Sequence, residues 1–163
     1  MTIRVWSARR DSRRAANGSL RVRSRSVPRL QTALLCNAAT TETTGLVSML
    51  GAFVDNVNVG QFPAAVQLWF VARLQWDDTD YGQTHTVVIK VEHPDGEQLV
   101  RIDGSADAQL NPGVDPEMPV GGALVVPLMT QFRREGRYEV SLTVNGDLFW
   151  MSPLRVRSAL PQV

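Results

Sequence analysis

From Leu30 onward, apolar and polar residues alternate with a period of two, in short runs separated by turn residues, which is the pattern of half-buried β-strands. The clearest run sets Tyr138, Val140, Leu142 and Val144 against Glu139, Ser141, Thr143 and Asn145. It ends on Asn145 and Gly146, two residues that tolerate positive φ and so predict a two-residue hairpin turn. A returning strand follows over residues 148–156. In residues 64–76, Val66, Leu68, Phe70, Ala72, Leu74 and Trp76 fall on one face, which marks it as the core face. Trp69 and Val71 fall on the other with Gln67, Arg73 and Gln75. In residues 83–93 the inward set is His85, Val87, Ile89 and Val91.

Further strands are predicted over residues 30–38, 45–59, 97–102 and 123–133. Gly51, inside the long second strand, predicts a bulge or bend, and Pro153 predicts an edge position or a bulge for the last strand. No run shows a helical period. Eight strands of this kind predict an all-β protein, an immunoglobulin-like antiparallel β-sandwich of about 7–9 strands, with a small closed β-barrel as the alternative.

Composition adds a boundary. The 163 residues, 44% hydrophobic and 20% charged, suffice for one domain plus a tail. The net charge of +1 conceals a split: nine arginines against Asp11 give residues 1–30 a charge of +8, and the remainder carries −7. A basic segment with few large apolar residues cannot bury enough surface to offset the entropy of ordering it. Residues 1–29 therefore read as a disordered Arg-rich tail, residues 30–158 as the sandwich domain, and 159–163 as a second short tail.

One lysine against sixteen arginines hints at a GC-rich bacterial genome, in which Val27 can serve as a start and the tail can be a start-site error. An arm for nucleic acid or an acidic partner, and a targeting segment, are the lesser alternatives. No apolar run approaches the roughly 18 residues of a membrane-spanning helix, so no membrane contact is expected. No secretory pattern is read either, and the expected location is cytoplasmic.

Candidate chemistry is sparse. His85 lies between apolar neighbours on an inward face, so a hydrogen-bonded structural role is expected. Cys36, the one cysteine, has no adjacent base to lower its pKa and reads as a small buried hydrophobe. The acidic loop Asp77, Asp78, Thr79, Asp80, Tyr81, Gly82 fails the EF-hand register, because Gly82 stands where an oxygen ligand belongs. No nucleophile elbow, P-loop, dinucleotide fingerprint or paired metal-ligand motif is present. No catalytic, cofactor-binding or metal-binding residue is assigned and no cofactor is expected. Residues 104–122, with three prolines, form the longest irregular stretch.

A resemblance rests on several short stretches. They are Leu34, Leu35, Cys36, Asn37 and Ala38; residues 45–52; Phe62 and Pro63; Gly136 to Val140; and Pro153, Leu154, Arg155 and Val156. Over about residues 28–157 the chain resembles a family of small uncharacterised bacterial proteins, whose members begin near position 28. The resemblance implies a sandwich domain of unknown function and no activity.

What remains is surface. Trp69 and Val71 on the non-core face, and a second strand with Leu46, Leu50 and Val54 on one side and Val47, Met49 and Phe53 on the other, need covering. The cover is a second copy of the chain, another protein, or a second layer within the monomer, and a non-enzymatic interaction module is expected. A small-ligand or carbohydrate binder using Trp69, Trp76 or Trp150, or an enzyme with a loop site, is the alternative.

Overall fold

The alternating runs fold as nine strands in two facing sheets. The computed structural model describes residues 28–43, 45–108 and 120–159. In chain order the strands are β1 (Arg29–Thr41), β2 (Val47–Ala52), β3 (Asn56–Val59), β4 (Ala64–Gln75), β5 (Thr84–Glu92), β6 (Gln98–Asp107), β7 (Gly121–Phe132), β8 (Gly136–Val144) and β9 (Asp147–Ser158). One sheet has the order β2-β1-β4-β7 and the other β3-β9-β8-β5-β6. Among the described residues four strands stand at sheet edges, so the two sheets form a sandwich rather than the closed barrel.

Within each sheet the period-two pattern reads out as burial. Leu68, Phe70, Ala72, Leu74 and Trp76 line the inner face of the first sheet. His85, Val87, Ile89, Val91, Tyr138, Val140, Leu142 and Val144 line that of the second. Phe70 meets Trp150 across the interior with ring centroids 5.4 Å apart. Each fully buried Val, Leu or Phe contributes about 1.5–3 kcal/mol of transfer free energy, which makes this interface the main source of stability. Asn145 (φ 54°) and Gly146 (φ 92°) both take positive φ in the β8–β9 turn, as the sequence predicts.

The expected long strand over 45–59 is two strands in different sheets. β2 pairs antiparallel with β1, and β3 pairs with β9. Gly51 (φ 61°), near the end of β2, and Phe53 (φ 63°), just after it, turn the chain out of the first sheet. A period-two pattern looks the same whether the chain stays in one sheet or crosses, so the alternation could not reveal the break. The β3–β9 pairing is parallel, the one departure from an otherwise antiparallel sandwich among the described residues.

Other boundaries shift for local reasons. β1 runs on through Thr40 and Thr41, which pair with Ser48 and Val47. β6 extends to Asp107, whose carboxylate accepts a 2.7 Å hydrogen bond from Thr84 Oγ1, so residues 104–107 are strand rather than loop. Pro153 sits on a strand that has neighbours on both sides, but β3 reaches only Arg155–Ser158, so β9 has an open flank at the proline.

The topology matches the immunoglobulin pattern. β1, β4 and β7 stand as strands A, B and E, and β5, β8 and β9 as C, F and G. Tyr138, near the start of β8, donates its hydroxyl to the Arg134 carbonyl at 2.8 Å, forming the tyrosine corner of that fold.

Candidate functional site

His85 is sealed. On β5 it is 1% exposed and stacks on the Trp76 indole, centroids 5.3 Å apart and planes at 15°. Asn145 Nδ2 donates to its Nδ1 at 3.0 Å, which leaves the ring proton on Nε2. Nε2 lies 3.6 Å from Asp80 Oδ1, longer than a hydrogen bond. The buried Asp80 accepts the Asp77 amide at 2.7 Å, and Asn145 Oδ1 accepts the Thr86 amide at 3.0 Å. The cluster ties the acidic loop and the β8–β9 turn to β5. A general base must come within about 3 Å of its reactant; this ring is walled in by protein and works as a structural post.

Cys36 is fully buried, and burial pushes its thiol pKa up against a hydrogen bond with the Ala38 backbone, the reverse of what a nucleophile needs. In the acidic loop Asp77 and Asp78 are exposed and Asp80 points into the His85 cluster, so the three carboxylates do not converge. Burial first, then the charges of Asp78, Asp77 and Asp80, raise the Tyr81 phenol above its ordinary value. Among the described residues no three His, Cys, Asp or Glu side chains gather as a metal site. Residues 109–119, at the heart of the long irregular stretch, and the Arg-rich segment 1–27 lie outside the described residues.

Two features escaped the sequence reading. His93, Asp95, Glu97 and Arg134 cluster at the β5–β6 turn: His93 Nδ1 lies 2.9 Å from Asp95 Oδ1, and Arg134 pairs with the same carboxylate. The Glu97 amide, then His93 and Arg134, hold the Asp95 carboxyl down to about 2. The hint was Asp95 and Gly96 in a tight turn, but Arg134 is far away in sequence. The second feature is an open groove of ≈ 930 Å³ beside β3, β8 and β9, lined among others by Asp55, Glu135, Arg137, Arg155 and Arg157. Arg137 and Arg155 are direct cross-strand partners, a register the sequence did not show.

The surface residues remain. Trp69 sits on the outer face of the first sheet between Cys36 of β1 and Pro127 of β7. It packs with Leu34, Cys36, Val71 and Val125 in a cluster joined by Ala39 and by Val47 of β2. Val71 is buried within the monomer, so it underlies this surface rather than presenting it, whereas Trp69 is half-buried. Trp76 is buried in the main core, and Trp150 is partly buried against it.

The largest exposed apolar side chains concentrate next to this cluster. Leu46 is 65% exposed, Met49 44%, Leu50 72% and Phe53 78%, all on or beside β2. β2 is the outermost strand of its sheet, so one row of its backbone N–H and C=O groups has no strand beside it among the described residues. A left-handed φ on a non-glycine residue is unusual, and at Phe53 it holds an aromatic ring in solvent.

Topology and tyrosine corner define an immunoglobulin-like β-sandwich with an apolar edge strand. Residues 31–157 match the model of DUF6941, a family of unknown function, and the chain belongs to that family. No curated protein matches it. Among solved structures it is similar to the CARDB domain of the PF1109 protein from Pyrococcus furiosus, a complex with di-metal ions, at 11% identity and a TM-score of 0.42, covering 88% of this chain and 100% of that one. It is also similar to an immunoglobulin-like protein, PA1606, from Pseudomonas aeruginosa, at 13% identity and a TM-score of 0.41, covering 82% and 99%.

Proposed function

We propose that this protein is a non-enzymatic interaction module whose docking element is the edge strand β2, taking an extended, uncharged, apolar strand from a partner chain. The observation that carries the reading is the clustering of exposed Leu46, Met49, Leu50 and Phe53 on one open sheet edge. Added strands gain affinity from the unpaired backbone row and specificity from alternate side chains. The Trp69 cluster extends the apolar surface, since Val47 of β2 packs against it. The burial of His85 and Cys36 supports the non-enzymatic half of the reading.

A selection from displayed ten-residue peptides tests it. The full chain should enrich uncharged apolar strand-forming sequences, and the Leu50→Lys variant should enrich none. Equal enrichment by both chains, or none by either, overturns the reading.

A further inference from the structure

The identity of the partner follows from comparing the four sheet edges, and rests on the reading of β2 as a docking edge. Proteins protect exposed edges by keeping them short, charging them or placing proline in them. β3 has four residues. β6 carries Arg101 and Asp103, both exposed and paired with each other. β7 is interrupted by Pro127. β2 has none of these defences, for residues 45–54 contain no charged residue and no proline.

This asymmetry restricts how copies of the chain can meet. A head-to-tail assembly needs a second receptive edge on the same molecule, and β3, β6 and β7 are each blunted. An edge that can meet only itself pairs about a two-fold axis, and a neutral strand does so without opposing like charges. We infer that two copies of this chain dimerise by antiparallel pairing of β2 with β2, joining two four-stranded sheets into one of eight.

The symmetry also limits the register. The two-fold axis of such a pair stands perpendicular to the sheet and leaves every side chain on its own face, so residues that meet across it share parity along the strand. With the axis beside Met49, Leu50 faces Ser48 and Val47 faces Gly51 of the partner subunit. With the axis beside Leu50, the two Leu50 side chains meet, and Met49 faces Gly51 of the partner subunit. The second register covers Leu50, the most exposed large apolar side chain of the strand, with its own copy and is the one inferred. A six-residue strand gives an interface at the small end of the range for specific complexes.

Sedimentation velocity on the full chain across low to high micromolar concentration should show a monomer–dimer equilibrium. Leu50→Lys, which sets two ammonium groups against each other at the axis, should sediment as a monomer throughout, with an unchanged circular dichroism spectrum. Under mild oxidation Leu50→Cys should form a disulfide-linked dimer at least tenfold faster than Leu148→Cys, whose exposed position lies in the other sheet. A wild-type chain that stays monomeric, or cross-linking equally fast at both positions, overturns the dimer. If that monomer still enriches apolar peptides, β2 docks a different chain; if it enriches none, the docking reading falls as well.

Discussion

Phe53 combines two unfavourable choices at one position: a left-handed φ of 63°, which costs an L-residue roughly 1–2 kcal/mol, and an aromatic ring 78% exposed to water. Asparagine tolerates that conformation far better. Phe53→Asn should therefore stabilise the monomer by up to about 1 kcal/mol in urea unfolding at low protein concentration, and weaken self-association at high concentration. A destabilised monomer would show that the ring packs within its own chain. His85 is the opposite case, polar but enclosed. Truncating it to alanine opens a cavity against Trp76 and removes the contacts of Asn145 and Asp80, at a cost of about 2–4 kcal/mol. Hydrogen exchange should then quicken first at residues 77–82 and in the 145–146 turn; a loss confined elsewhere would refute the structural-post role.

At the scale of elements, the β5–β6 turn is the one whose charge state is tuned. The Asp95 carboxyl is held at about 2 against an ordinary 3.8, so the folded state favours its ionised form. That contribution is present in full above about pH 4 and is lost as the pH falls through about 2. Because Asp95 is solvent-exposed, the effect is screened and small. Stability measured between pH 5 and 2 should fall less steeply in Asp95→Asn than in the parent chain. Identical slopes would mean that the Glu97 amide, His93 and Arg134 do not favour the ionised form in solution.

At the scale of the molecule, the first sheet carries apolar side chains on both faces: the main core on one, and Leu34, Cys36 and Val71 beneath Trp69 on the other. Cys36 reports on the second face, since its thiol is reached only when that face opens. Labelling by a thiol reagent in the native protein should be far slower than in urea, and should track global unfolding as denaturant is added. Rapid labelling at neutral pH without denaturant would mean that the outer cluster breathes independently of the core.

The alternation of residues determined most of the sandwich by itself, because side-chain direction in a strand has a period of two and one face must be apolar. The inward face of β4, the burial of His85 and the Asn145–Gly146 turn are local consequences of sequence, legible without partners. The tertiary structure decided everything that depends on which strand lies beside which. It split residues 45–59 between two sheets, made β2 an outermost strand, buried Val71 under its neighbours and brought Arg134 to Asp95. Adjacency between strands is set by chain crossing and sheet order, which leave no mark on the hydrophobic pattern of either strand. The exposed side chains of β2 could be named from the sequence, but their standing at an open edge could not.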